Sequence, residues 1–186
     1  MSGWLRAHLA VVYAFLYVPI LVLVGLSFNA SGLPTSWGGF STKWYGELAR
    51  NGEIRTGLRN TLIVAVGATV LATVLGTLLA VGIQRYVRRP LVQAVFVAPA
   101  VLPDVVLAVG LLSLYTLISM TLGLQTVLLS HTLFCMAFVT AVVRTRLQHV
   151  DPSLEEAARD LGDTNVGAFV RVTLPSLMPG IVAGAL

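Results

Sequence analysis

The feature that most restricts the fold of this chain is a series of long stretches without a single charge. Leu9 to Phe28, Thr61 to Ile83 and Thr126 to Val143 carry no Asp, Glu, Lys or Arg. A helix rises about 1.5 Å per residue, so runs of this kind reach or approach the roughly 30 Å of a bilayer's hydrocarbon core. Such runs cannot be satisfied by a soluble fold of 186 residues in which hydrophobic types make up 56% and charged types 11%. With a mean hydropathy of +0.87, the chain is predicted to be all-α, a polytopic helical bundle in a membrane. A cleaved signal peptide competes for the first run. Its apolar core, with Pro19 inside it, exceeds the usual span of about 7–15 residues, so an uncleaved first crossing is expected.

The remaining runs give the predicted map. Spans are expected at about 9–28, 61–83, 91–118 interrupted by Pro99 and Pro103, 126–143, and from 177 to 186, where a fifth span has begun without a polar stop. The third region is longer than one straight crossing needs. It is expected to hold a partial helix up to Pro99, an irregular segment, and a full span from about Val105 to Ile118. In the second span Ala68, Ala72, Gly76 and Ala80 recur every four residues. That places small side chains on one face and predicts close approach of another helix. Arg85, Arg88 and Arg89 cluster after this span, and Arg144 and Arg146 end the fourth. Basic residues collect on the cytoplasmic side, so both ends are expected there, with the N-terminus cytoplasmic as well. The net charge of +4 thus reports topology, and no basic, aromatic-interleaved stripe suggests nucleic acid. Cys135 stands alone in an apolar run, which leaves no disulfide framework and no Cys-based metal site.

Two groups of polar or aromatic residues invite a functional reading. Asp104 is the one acidic residue in a membrane stretch. It lines a transport path or, equally, caps the helix that starts after Pro103. Trp37 and Trp44 lie in a polar outer segment with Phe40 and Tyr45, where a short helix is expected from Ser41 or Thr42. They face a cation or anchor the segment at the membrane surface. Ser130 and His131 point about 100° apart on a helix, so they do not form a hydrolytic pair, and His131 is expected to be a hydrogen-bonded interior residue.

The polar island from Asp151 to Gly180 differs from all of this. Asp151 suits an N-cap and Pro152 the first helical position, while Glu155 and Glu156 meet the positive end of the dipole. Leu154, Ala157, Ala158 and Leu161 form one apolar stripe, and Gly162 suits the left-handed position past the end. A second helix is expected from Thr164, ended by Pro175.

Glu156-Ala157-Ala158, Gly162 and Leu174-Pro175 in this register resemble the EAA loop of permease subunits of binding-protein-dependent ABC importers. The resemblance implies a type I importer permease fold and a cytoplasmic coupling loop at 144–175. There Glu156, Ala157, Ala158 and Gly162 dock on an ATP-binding subunit. Asp163 departs from the alanine usual after that glycine. Ser27-Phe28-Asn29, the stretch from Trp37 to Tyr45, Pro103-Asp104 and Ser130 to Cys135 look like spermidine/putrescine importer permeases. That resemblance implies polyamine uptake across a bacterial inner membrane, with Asp104 on the substrate path and a weaker carry-over to Trp44. The implied partners are a pair of ATP-binding subunits, a second homologous permease, a periplasmic polyamine-binding protein and membrane lipid. This chain has no Gly-x-x-x-x-Gly-Lys-Ser/Thr loop, so ATP is expected to be used by a partner and no cofactor or metal to be bound here. The resemblance also implies that further spans follow residue 186. The alternatives are a permease for another small solute or, from a different class, a secondary carrier built on Asp104 and His131.

Overall fold

The computed structural model describes residues 3–87 and 89–186. Among them the chain is helical, and the helices divide into two units at residues 59 and 60.

In the first unit, α1 (Gly3–Leu26) is apolar all round and buries none of its own residues. A connecting segment leads to α2 (Lys43–Arg50), where the sequence placed a short helix. The segment is organised by Asn29, which is 1% exposed. Its amide donates to the carbonyls of Leu33 and Ser36 and accepts from the backbone N–H groups of Ser31 and Gly38. A buried amide with every polar atom paired fixes the loop around it.

The second unit is built on α3 (Gly52–Tyr86), whose residues from 60 onward belong to it, and α6 (Leu124–Leu147). Ala68, Ala72, Gly76 and Ala80 are all buried, as their spacing predicts. The backbones approach closely enough that the Thr140 hydroxyl donates to the Gly76 carbonyl as well as to Met136 in its own helix. The two helices run parallel, since Gly67 faces Leu128 and Gly76 faces Val139. The intervening chain must therefore traverse the unit once in the opposite direction. It does so as a broken pair, α4 (Pro90–Val101) and α5 (Asp104–Leu117), bent by 106°.

This corrects the expected map. The break falls at Leu102–Pro103, within the expected irregular segment, but Pro99 lies inside α4 and does not end it. Pro103 forces its predecessor Leu102 into extended backbone (φ −66°, ψ 142°), and that ends the helix. The 14 residues of α5 reach only about 21 Å, so it is not a full span by itself.

After α6 come α7 (Pro152–Asp160), α8 (Asn165–Ala168), a π turn (Phe169–Thr173) and α9 (Leu174–Ala185). From Asn165 to Ala185 the helix is continuous and apolar enough to cross a membrane. Pro175 therefore does not end the run. A proline within a helix removes one hydrogen bond and crowds the carbonyl four residues earlier. The wider π turn just before it opens that spacing, so the helix passes through. Helix α9 returns antiparallel to α6, with Gly180 against Arg146 and Gly184 against Val139. Ala72, Ala80, Val139, Val143 and Leu177 make the core where these helices meet.

Candidate coupling loop and transport path

One end of the second unit gathers the polar chemistry. Arg85 closes α3, Arg144 and Arg146 close α6, and α7 lies beside them. Arg144 donates to the Gln93 side chain at the start of α4, and Arg146 to the Ser176 carbonyl at the start of α9. The helix ends that the sequence assigned to one face of the membrane thus sit together.

Helix α7 forms as its caps dictate. The Asp151 carboxylate accepts from the Ser153 N–H at 2.9 Å, and Pro152 takes the first helical position. The Ser153 backbone hydrogen bond holds the Asp151 carboxyl below its ordinary range. At the other end Gly162 has φ +95°, a conformation costly for residues with a Cβ. Its N–H bonds to the Arg159 carbonyl and that of Asp163 to Ala158, which is the Schellman pairing. Thr164 then caps α8 by accepting from the Gly167 N–H. Asp163, the departure from the expected alanine, accepts from the Thr164 N–H and pairs with Arg171 at 3.1 Å.

Glu156, Ala157, Leu154 and Leu161 are exposed, Leu161 at 91%. Ala158, the remaining residue of the stripe, is half-buried. The apolar stripe predicted for α7 thus faces outward rather than into this chain. Beneath the helix is a groove of about 240 Å³, lined by Gln84, Arg85, Leu147, Glu155, Glu156 and Thr173 among others. Leu174 and Pro175 lie behind the π turn, half-buried and exposed respectively, and open α9.

Glu155 rather than Glu156 binds α7 to the bundle, a contact that no local pattern of residues announces. Its two oxygens receive Arg85 Nη1 at 3.2 Å and Nη2 at 2.6 Å, and the Thr173 hydroxyl donates to one of them at 2.5 Å. Burial raises the Glu155 pKa. Hydrogen bonds from Thr173 and Arg85, with the charges of Arg85 and Arg159, outweigh it and hold the carboxyl below the usual glutamate range.

The candidate path lies higher in the same unit. Asp104 opens α5, but Pro103 occupies the cap position and the carboxylate makes no capping hydrogen bond. It borders a cavity of about 310 Å³ with Leu107, Ala108, Leu111, Ser130, His131 and Phe134. His131 also borders a second cavity of about 420 Å³ toward α3, with Asn60, Thr61 and Cys135. His131 is exposed and has no hydrogen-bond partner among the described residues, which corrects its expected interior role. At this position α6 opens onto both cavities and no facing polar group is close enough to bond. Ser130 bonds to the Thr126 carbonyl and the Tyr115 hydroxyl, not to His131.

In the first unit, the Trp44 indole N–H donates to the Asn29 carbonyl at 2.8 Å, and Lys43 Nζ stands 4.5 Å from the ring centroid. Trp37 is 61% exposed, with no cation over its ring among the described residues.

No family model matches the chain. Similar proteins are nonetheless close. The putrescine transport system permease protein PotI of Escherichia coli strain K12 is 40% identical over 194 residues, covering 100% of this chain and 69% of PotI. The spermidine/putrescine transport system permease protein PotC of the same strain is 38% identical, covering 93% of this chain and 66% of PotC. PotC of Haemophilus influenzae is 37% identical, covering 97% and 71%.

Proposed function

Because the chain belongs to the family of putrescine and spermidine permeases of ABC importers, we propose that it forms part of the membrane path by which such an importer brings polyamines into the cytoplasm. The observation that carries this reading is the identity to PotI along the whole chain, together with an outward-facing helix at the basic end of the bundle. Helix α7 offers an apolar stripe beside Glu156 to an ATP-binding subunit, one of a pair that hydrolyses ATP. A second homologous permease and a periplasmic binding protein complete the system. The basic end faces the cytoplasm of a bacterial cell, the N-terminus lies on the same side, and the membrane is the inner one. No cofactor is held by this chain, and ATP is used by the partner.

A polyamine is a flexible polycation. Asp104 gives its path a carboxylate at the rim of a mostly apolar cavity that Ser130 and His131 also line, where a charge is costly unless water or substrate meets it. Trp44 is committed to Asn29 and Lys43 and serves to hold the outer segment. Trp37 is the ring available to a passing cation.

The test is uptake of labelled putrescine by cells expressing the full-length permease with its partner subunits. Excess unlabelled putrescine is expected to compete. Asp104→Asn is expected to lower uptake while the ATP-binding subunit still co-purifies, and Glu156→Lys to abolish co-purification. Uptake indifferent to excess putrescine would point to another solute. Orientation is checked with Leu161→Cys in a Cys135→Ser background, and labelling of intact cells from outside would place the loop on the wrong face.

A further inference from the structure

None of the nine residues of α7 is buried, yet the helix has a defined seat. Apolar area does not explain it; a polar junction does. Glu155 on α7 receives both terminal nitrogens of Arg85 on α3, and the Thr173 hydroxyl from the π turn. The Arg85 guanidinium also lies 5.2 Å from the ring centroid of Phe169, at the other end of that turn. A bidentate guanidinium fixes direction as well as distance. One carboxylate and one guanidinium thereby connect α7, α3 and the helix leading into α9.

The hydroxyl of Thr173 sets this junction apart. Ser130, Thr132, Thr140, Thr145 and Ser176 all return their hydroxyls to the carbonyl four residues earlier in their own helix. Thr173 is 2% exposed and instead reaches out to Glu155. A buried hydroxyl committed to a partner 18 positions away, on a different element, ties the two elements together. The π turn that Thr173 closes is the one irregular turn within this helix, of a kind that is rare and frequent at functional sites.

We propose that Arg85 and Glu155 are positioning residues that carry motion of α7 into the membrane helices, Arg85 toward α3 and Thr173 toward α9. This rests on the importer reading above and adds to it the linkage inside this chain, which is separate from the exposed residues that meet the ATP-binding subunit. With the junction closed, α7 moves together with the ends of both helices. With it open, α7 rides on flexible connections and a push on it is not passed on.

The experiment compares putrescine taken up per ATP hydrolysed by the full-length permease, reconstituted in vesicles with its partner subunits. Glu155→Gln and Arg85→Gln are each expected to lower that ratio about tenfold while the ATP-binding subunit still co-purifies and ATP is still hydrolysed. Exchanging the charges, Arg85→Glu with Glu155→Arg, is expected to recover most of the ratio. Thr173→Val is expected to lower it by about threefold, a smaller step in the same linkage. An unchanged ratio in the single variants would overturn the proposal. So would loss of co-purification in the single variants and the exchanged pair alike, since the pair would then only hold the fold. A wild-type assembly that takes up putrescine without hydrolysing ATP would instead remove the importer reading beneath it.

Discussion

The seam between α3, α6 and α9 and the seat of α7 solve the same problem, holding a helix in place, by opposite means. Along the seam Ala72, Ala80, Val139, Val143 and Leu177 are at most 2% exposed, and at its centre the Thr140 hydroxyl donates to the Gly76 carbonyl. Lipid tails are as apolar as leucine, so this contact depends on close packing of small residues rather than on escape from water. At α7 nothing is buried, and the helix is held by caps and a charge pair. Packing is stiff and intolerant of volume. A charge pair is directional, modest in strength and open to competition. The difference suits a frame that must not yield and an attachment that answers to a partner.

The sharpest way to break that contrast is to add volume to the seam. A Cβ at position 76 would lie 2.8 Å from the Val139 Cβ and 3.0 Å from the Met136 carbonyl oxygen, neither of which is a flexible side-chain tip. Gly76→Leu is expected to cost about 3 kcal/mol, read as a fall in thermal midpoint and in monodisperse yield in detergent. Leu161→Ala, on the exposed stripe of α7, is expected to leave that midpoint unmoved while weakening co-purification of the ATP-binding subunit. A midpoint insensitive to Gly76→Leu would show that the seam is looser than its packing implies.

Next in size is the glycine that ends α7. With φ +95° at Gly162, Gly162→Ala is expected to cost about 1–2 kcal/mol. The cost should fall on the loop alone, as faster hydrogen exchange over 152–160 with the seam still protected. Smaller again is Thr164→Ala, which removes the cap accepting from the Gly167 N–H and is expected to cost about 1 kcal/mol, read as exchange over 165–168. Loss of seam protection in either variant would mean that loop and frame unfold as one.

What could be read from the sequence follows the same division. The seam was legible, because four small residues at a spacing of four state a helical face directly. The caps of α7 were legible too, since Asp151, Pro152 and Gly162 act on their immediate neighbours. The Arg85–Glu155 pair was not, because its partners are 70 positions apart and each looks like an ordinary charge at a helix end. Pro175 was read by its local rule, and the π turn that relieves it has no signature in composition. Trp44 could be read as a cation site or as an anchor, because its bond to Asn29 depends on how the segment between α1 and α2 folds back. His131 looked interior because its run is apolar, whereas its exposure is set by the two cavities it borders. Orientation of the N-terminus and the docking role of Glu156 rest on charge bias and motif, and the labelling and co-purification experiments decide them.

The smallest expected effect is also the most selective, because it is a change that should not occur near neutrality. Glu155 is held below the usual glutamate range, its burial outweighed by Thr173, Arg85 and Arg159. A carboxyl depressed in the folded state stabilises above its ordinary value and loses that contribution as pH falls through the depressed one. Protection of the α7 amides is therefore expected to be flat between about pH 6 and pH 8, and to fall only in acid below about pH 4. The Asp151 cap, depressed by its Ser153 bond, acts in the same direction. In Glu155→Gln the Asp151 share alone should remain, so the acid transition should become shallower. A step between pH 6 and pH 8 would assign the seat to a group other than these two carboxylates. The charge pair would then be incidental, and α7 would be held by chemistry that responds to the pH of the cell.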